Sequence, residues 1–164
     1  MRLESPIFEH KGSIPSKYTC DGENISPPLK ISGVPEGAKS LVLIMDDPDV
    51  PKSIRPDGMW DHWLTWNIPP ETAEIPEGQD LPALPDRQAG GRQGRWVVGK
   101  NTGGSFGYRG PCPPDREHRY FFKLYALDTT LDLPADTTTK ADLEKAMEGH
   151  ILSQAELMGR YNRQ

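Results

Sequence analysis

The backbone of this chain is punctuated too densely for long helices. Sixteen glycines and seventeen prolines stand among its 164 residues, about a fifth of the total, where about 12% is usual. Proline lacks an amide proton and glycine loses the most entropy on ordering, so either one interrupts a helix. Short strands joined by turns suit that spacing, and the share stays below the roughly 25–30% of unperiodic low-complexity chains. The length fits a single domain over residues 1–164, and no internal repeat is visible.

Charge and hydropathy narrow the function classes. Nineteen Lys and Arg against 24 Asp and Glu give a net charge of −5, so no global positive field attracts a nucleic-acid backbone. The longest apolar run, Leu41 to Met45, is five residues, against the roughly 20 of a membrane span. The start Met-Arg-Leu-Glu-Ser-Pro has no apolar signal region, so a soluble, untargeted chain is expected. Cys20 and Cys112 form no C-x-x-C pair. Reduced thiols in a cytoplasm are the expectation, and a single long-range disulfide is the alternative.

Ser40-Leu-Val-Leu-Ile-Met45, stopped by Asp46-Asp47-Pro48, predicts a central strand buried on both faces. His62 to Ile68 predicts a second, whose period of two places His62, Leu64, Trp66 and Ile68 on one face. His118 to Leu127 predicts a third, with His118, Tyr120, Phe122, Leu124 and Ala126 sharing a face. Between Pro69 and Pro114 lies a Gly/Pro-rich stretch of a length that is usually functional or interfacial. The tail predicts a helix capped by Thr139, with Leu143, Met147 and Ile151 at helical spacing up to Gly159 and a kink or break at Gly149.

His62 and His118 each open a strand beside a rigid turn, where a ring can be aimed into a pocket. Asp47 and Asp49 straddle Pro48, either as a turn that ends the strand or as ligands. Asp47, Asp49, His62 and His118 suit a divalent cation chemically, but their spacing matches no known metal motif. Cys112, six residues before His118, reads as a small packed side chain rather than a nucleophile. Without a Walker, G-x-G-x-x-G or G-x-S-x-G pattern, the sequence calls for no cofactor and no serine nucleophile.

Asp47-Pro-Asp-Val-Pro51, Trp60-Asp-His62 with Asn67, Gly110-Pro111 and His118-Arg-Tyr120, in this order, resemble the phosphatidylethanolamine-binding protein family. Tyr18-Thr-Cys-Asp-Gly22 and Gly107-Tyr-Arg-Gly-Pro-Cys-Pro-Pro114 resemble its bacterial and archaeal, Raf-kinase-inhibitor-like branch. The resemblance implies a mainly β fold: a large antiparallel sheet packed on a smaller one in a β-sandwich-like core, with a few peripheral helices. It also implies a small anion pocket whose positions fall on Asp47, His62, Gly110, Pro111, His118 and Tyr120.

The expected function is non-enzymatic binding of a phosphate-bearing small molecule, a phosphorylethanolamine-like head group or a phosphorylated protein side chain. Two imidazoles and a tyrosine hydroxyl would donate to phosphate oxygens, more tightly as pH falls through the histidine range. The rivals are a protease or kinase inhibitor acting through surface loops and a phosphoester hydrolase. The long Gly/Pro-rich segment is the candidate surface for a homodimer or protein partner.

Overall fold

The computed structural model describes residues 1–79 and 96–163. Its centre is β3 (Ser40–Asp47), buried along its whole length. A strand with no polar face must be covered twice, and both covers are present. Antiparallel neighbours flank it, β4 (Trp60–Ile68) on one side and β7 (His118–Leu127) on the other. With β6 (Val97–Val98) beside β4 and β8 (Ile151–Tyr161) beside β7, they form a five-stranded sheet in the order β6-β4-β3-β7-β8. A second sheet of β1 (Arg2–Glu4), β2 (Leu29–Ser32) and β5 (Glu74–Ile75) has the order β1-β2-β5.

Leu41, Leu43 and Met45 point to the small sheet and pack with its Leu3, Leu29, Ile31 and Ile75. Val42 and Ile44 point the other way, toward Leu143 and Met147 of the helix α1 (Lys140–Met147). The fold is thus the β-sandwich-like arrangement expected, with a helix on the outer face of the large sheet. The acidic pair at the end of β3 is divided in the same way. Asp46 turns toward the helix and accepts from Lys123 at 2.7 Å and from Lys140, while Asp47 turns to the sandwich side and meets His118.

β7 alternates as predicted: His118, Tyr120, Phe122, Leu124 and Ala126 are all buried. β4 does not. Leu64 and Trp66 face the helix, whereas Trp63 and Ile68 belong to the sandwich core, because two irregularities break the period of two. Met45 opposes Trp63 but Asp46 opposes Asp61, which leaves His62 as an extra residue in a bulge. Its ring sits edge-on to Tyr120 at 5.2 Å, on the Trp63 side. The second irregularity lies around Asn67, at φ 56°, a left-handed conformation that asparagine tolerates. Its amide bonds both the carbonyl and the N–H of Leu131 at 2.8 Å, standing in for a strand neighbour.

The tail is corrected. The helix is capped at Thr139 as expected, with a reciprocal Asp142 box, but it stops at Met147. Gly149 takes φ +78° and the chain reverses. Ile151 to Tyr161 then form an edge strand that pairs along the whole of β7. Leu157 enters the sandwich core, so non-local pairing overrides the helical spacing read from the sequence. Among the described residues no helix is long and apolar enough to cross a membrane.

The expectation of free thiols is also corrected: Cys20 and Cys112 form a disulfide, with Cα atoms 5.4 Å apart. Their separation in sequence hides a direct contact between loops, in which the Cys20 amide donates to the Pro111 carbonyl at 3.0 Å. The cytoplasmic placement leaned on reduced thiols, and the disulfide removes that support. Residues 80–95 of the Gly/Pro-rich segment, part of the expected dimer or partner surface, lie outside the described residues.

Candidate functional site

Three strands and one loop bring the predicted residues to one end of the large sheet. β3 ends at Asp47, β4 begins just before His62, and β7 begins with His118 and Tyr120. Central-strand ends are a rigid base for such a group, since the backbone on both sides is paired.

Asp47 does two jobs at once. The Asp49 backbone N–H donates to its Oδ1 at 2.8 Å, the expected turn at the end of the strand, and its Oδ2 meets His118 Nδ1 at 2.7 Å. Burial raises the Asp47 carboxyl above its ordinary pKa, and the hydrogen bond from His118 opposes that shift. Asp49 turns away instead. It takes the Arg119 guanidinium through both carboxylate oxygens at 2.8 and 2.7 Å and the Arg119 backbone N–H at 3.0 Å. That bidentate pair holds Asp49 below the usual carboxylate range and pins the start of β7 to the turn after β3.

His62 is 4% exposed and is fixed by Arg109 from two directions. The Arg109 N–H donates to the His62 carbonyl at 2.9 Å, and the Arg109 carbonyl lies 2.6 Å from His62 Nδ1. A carbonyl only accepts, so the proton is on Nδ1. Burial lowers the ring's pKa to about 4, which leaves it neutral near neutrality with Nε2 as an acceptor. The expectation that both imidazoles donate, and gain charge together through the ordinary histidine range, fails at this residue. Among the described residues Nε2 has no hydrogen-bond partner.

Tyr120 is fully buried between the two histidines, edge-on to His62 and stacked on His118 at 6.5 Å between ring centres. Its hydroxyl lies near the Cys112 backbone without a hydrogen bond of regular geometry. Burial pushes its pKa far up, so it remains a donor. His118 is fully buried and bonded at both nitrogens, the second to Asp115 Oδ1 at 2.9 Å.

Gly110 and Pro111 form the wall, but glycine is required there for a reason other than ligand approach. A Cβ on Gly110 would lie 2.5 Å from the Tyr18 carbonyl oxygen and 2.6 Å from Asn24 Oδ1. The Gly110 N–H donates to that Asn24 oxygen at 2.8 Å, and Tyr108 donates to the Tyr18 carbonyl at 2.7 Å. The wall is therefore stapled to the segment from Tyr18 to Asn24, with the disulfide as its covalent tie. Asn24, Arg109 and Asp115 belong to the site's frame; Asn24 and Asp115 lie outside the motifs, and Arg109 lies within the motif over 107–114 with no role assigned to it there.

Asp47, Asp49, His62 and His118 do not converge on a common point, and among the described residues no group of three or more His, Cys, Asp or Glu is arranged to hold a metal. A separate open hollow of about 580 Å³ lies between Ile14, Asp21, Glu117 and Tyr161 and contains none of the predicted site residues.

Comparison with known proteins agrees with this architecture. The sequence model of the phosphatidylethanolamine-binding proteins matches residues 4–162. A UPF0098 protein of Methanothermobacter thermautotrophicus is 51% identical over 164 residues, covering 99% of each chain. A Chlamydia trachomatis chain solved as a phosphatidylethanolamine-binding protein homologue superposes with a TM-score of 0.86 at 47% identity, covering 99% of this chain and 97% of that one. Escherichia coli YbcL, described as a member of the mammalian family, superposes with a TM-score of 0.82 at 28% identity, over 99% and 98% of the two chains. A profile match across almost the whole sequence, on a fold shared with two solved relatives, makes this chain a member of the phosphatidylethanolamine-binding protein family.

Proposed function

We propose that this protein is a non-enzymatic binding module that takes the phosphate group of a small molecule, a lipid head group or a phosphorylated side chain at Asp47, His62, Gly110, Pro111, His118 and Tyr120. The observation that carries it is a pair of unused polar atoms of opposite kind. The Tyr120 hydroxyl is a buried donor without a regular partner, and Nε2 of His62, a residue 4% exposed, is an acceptor without one among the described residues. Buried polar atoms normally find partners, so the hydroxyl marks a place for a ligand or water, and the His62 ring lies next to the Tyr120 ring at 5.2 Å.

The pairing favours a particular oxyanion. Tyr120 donates to an unprotonated oxygen, and His62 accepts from a protonated one. A phosphate monoester carrying one proton offers both, with a second pKa near 6. Sulfate has no proton to give. Calorimetric titration with inorganic phosphate and with sulfate at pH 6 tests this, and phosphate should bind at least about tenfold more tightly because an acceptor facing a bare oxyanion is left unpaired. Equal affinity would remove the role given to His62, and no heat with either ion would remove the anion site. Phosphorylethanolamine in the same assay reads whether an ammonium adds anything.

A further inference from the structure

His118 is usable by a ligand only if something moves. Its ring is fully buried, Nδ1 is taken by Asp47 and Nε2 by Asp115. The two carboxylates differ sharply in setting. The Asp47 side chain is 4% exposed and sits within the sheet, whereas that of Asp115 is 40% exposed and stands on the short loop before β7. The exposed contact is the one that can exchange, since ion pairs in water hold weakly.

The remaining contacts of Asp115 resemble those of a bound anion. One carboxylate oxygen meets His118 Nε2 at 2.9 Å and the other accepts from Arg116 Nη1 at 2.6 Å. Arg116 has a second hold, since its Nη2 donates to the Asp49 carbonyl at 3.2 Å. The guanidinium therefore keeps a reason to stay when Asp115 leaves.

We propose that the Asp115 carboxylate stands in for the ligand's oxyanion, so that binding exchanges one anion for another and places Arg116 among the ligand's contacts. This rests on the anion site proposed above and adds to it a built-in competitor and a further binding residue. A carboxylate on an exposed loop lowers affinity by the fraction of time it occupies the site. It also keeps a desolvated imidazole partnered while no ligand is present.

Phosphate titration of the wild-type protein, Asp115→Asn, Asp115→Ala, Arg116→Gln and the control Glu117→Gln tests the proposal. Glu117 is the adjacent charge, bonded to Arg160 at 3.1 Å rather than to His118. Both Asp115 variants should bind phosphate roughly tenfold more tightly if the open form is about a tenth of the wild-type population. Arg116→Gln should bind several-fold more weakly, and Glu117→Gln should match the wild type. Wild-type crystals soaked in phosphate should show Asp115 withdrawn from His118.

Unchanged or weaker binding by the Asp115 variants, with wild-type binding intact, overturns the exchange and leaves the anion site standing. A gain in Glu117→Gln equal to that in Asp115→Asn also overturns it, because general charge would then account for the effect. Absence of binding in the wild type and in both Asp115 variants, all folded by circular dichroism, defeats the anion site itself.

Discussion

Acidification should weaken this protein through His62 by an amount that can be isolated. The ring's ordinary pKa is 6.5, and burial lowers it to about 4 in the folded state. Between those values the unfolded chain binds a proton that the folded chain refuses, so stability rises with pH across the window and falls as pH drops through it. Above pH 6.5 both states are neutral and the contribution is complete. Below about pH 4 both are charged and nothing more is lost. The gap of about two and a half units corresponds to about 3 kcal/mol at about 1.4 kcal/mol per unit.

Other groups titrate in the same range, and two act with the opposite sign. Burial raises the pKa of Asp47 and of Asp61, so their folded forms gain protons first and their share of stability falls as pH rises through those raised values. The clean quantity is therefore the difference between the wild type and His62→Gln, measured by urea unfolding at half-unit steps from pH 7 to pH 4. The advantage of the wild type over His62→Gln should shrink by about 3 kcal/mol between those limits, most of it from pH 6.5 to 4. Parallel stability curves would show that His62 is not held neutral by burial, and the acceptor assigned to Nε2 would fall with it.

Two further outcomes follow from the wall of the site. Replacing both Cys20 and Cys112 by Ser removes a cross-link closing 92 positions of sequence, and on the chain-entropy account should cost about 4.5 kcal/mol in denaturant unfolding; an unchanged midpoint under oxidising conditions would refute it. Gly110→Ala drives a Cβ to 2.5 Å from the backbone oxygen of Tyr18, which cannot yield as a flexible side chain can, so a loss of about 2 kcal/mol is expected. A variant as stable as the wild type would mean that the segment from Tyr18 to Asn24 is not packed against the wall.

Much of the architecture was legible because hydrophobic period and burial agree. The run Leu41 to Met45 has no polar face and became the doubly covered β3, and the alternation of β7 held from His118 to Ala126. The failures share a cause, which is that non-local partners decide what local spacing leaves open. Leu143, Met147 and Ile151 fit one helical face, but β7 needed an edge partner, and Gly149 supplied the left-handed turn that let the chain return as β8. The bulge at His62 is invisible in sequence because it depends on register against Met45 and Asp46.

The grouping of the candidate residues was legible, and its chemistry less so. Motif order named Asp47, His62, His118 and Tyr120, and the fold brings their side chains together at one end of the sheet. That His62 would present an acceptor could not be read, because its tautomer is set by the Arg109 carbonyl, 47 positions away. Asp115 and Arg116 gave no signal, since an exposed loop charge is ordinary until the imidazole it covers is seen.

In the proposed site a neutral His62 acceptor and a His118 donor face one phosphate. Side-chain nitrogen–proton correlation spectra of the four histidines, recorded at pH 6 while inorganic phosphate is added, test that arrangement at the two rings themselves. His62 should stay in the neutral, Nδ1-protonated form throughout, with saturable shifts at Nε2 of His62 and of His118 and none at His10 or His150. A His62 ring that is charged at pH 6, or rings at 62 and 118 that ignore millimolar phosphate, would contradict it.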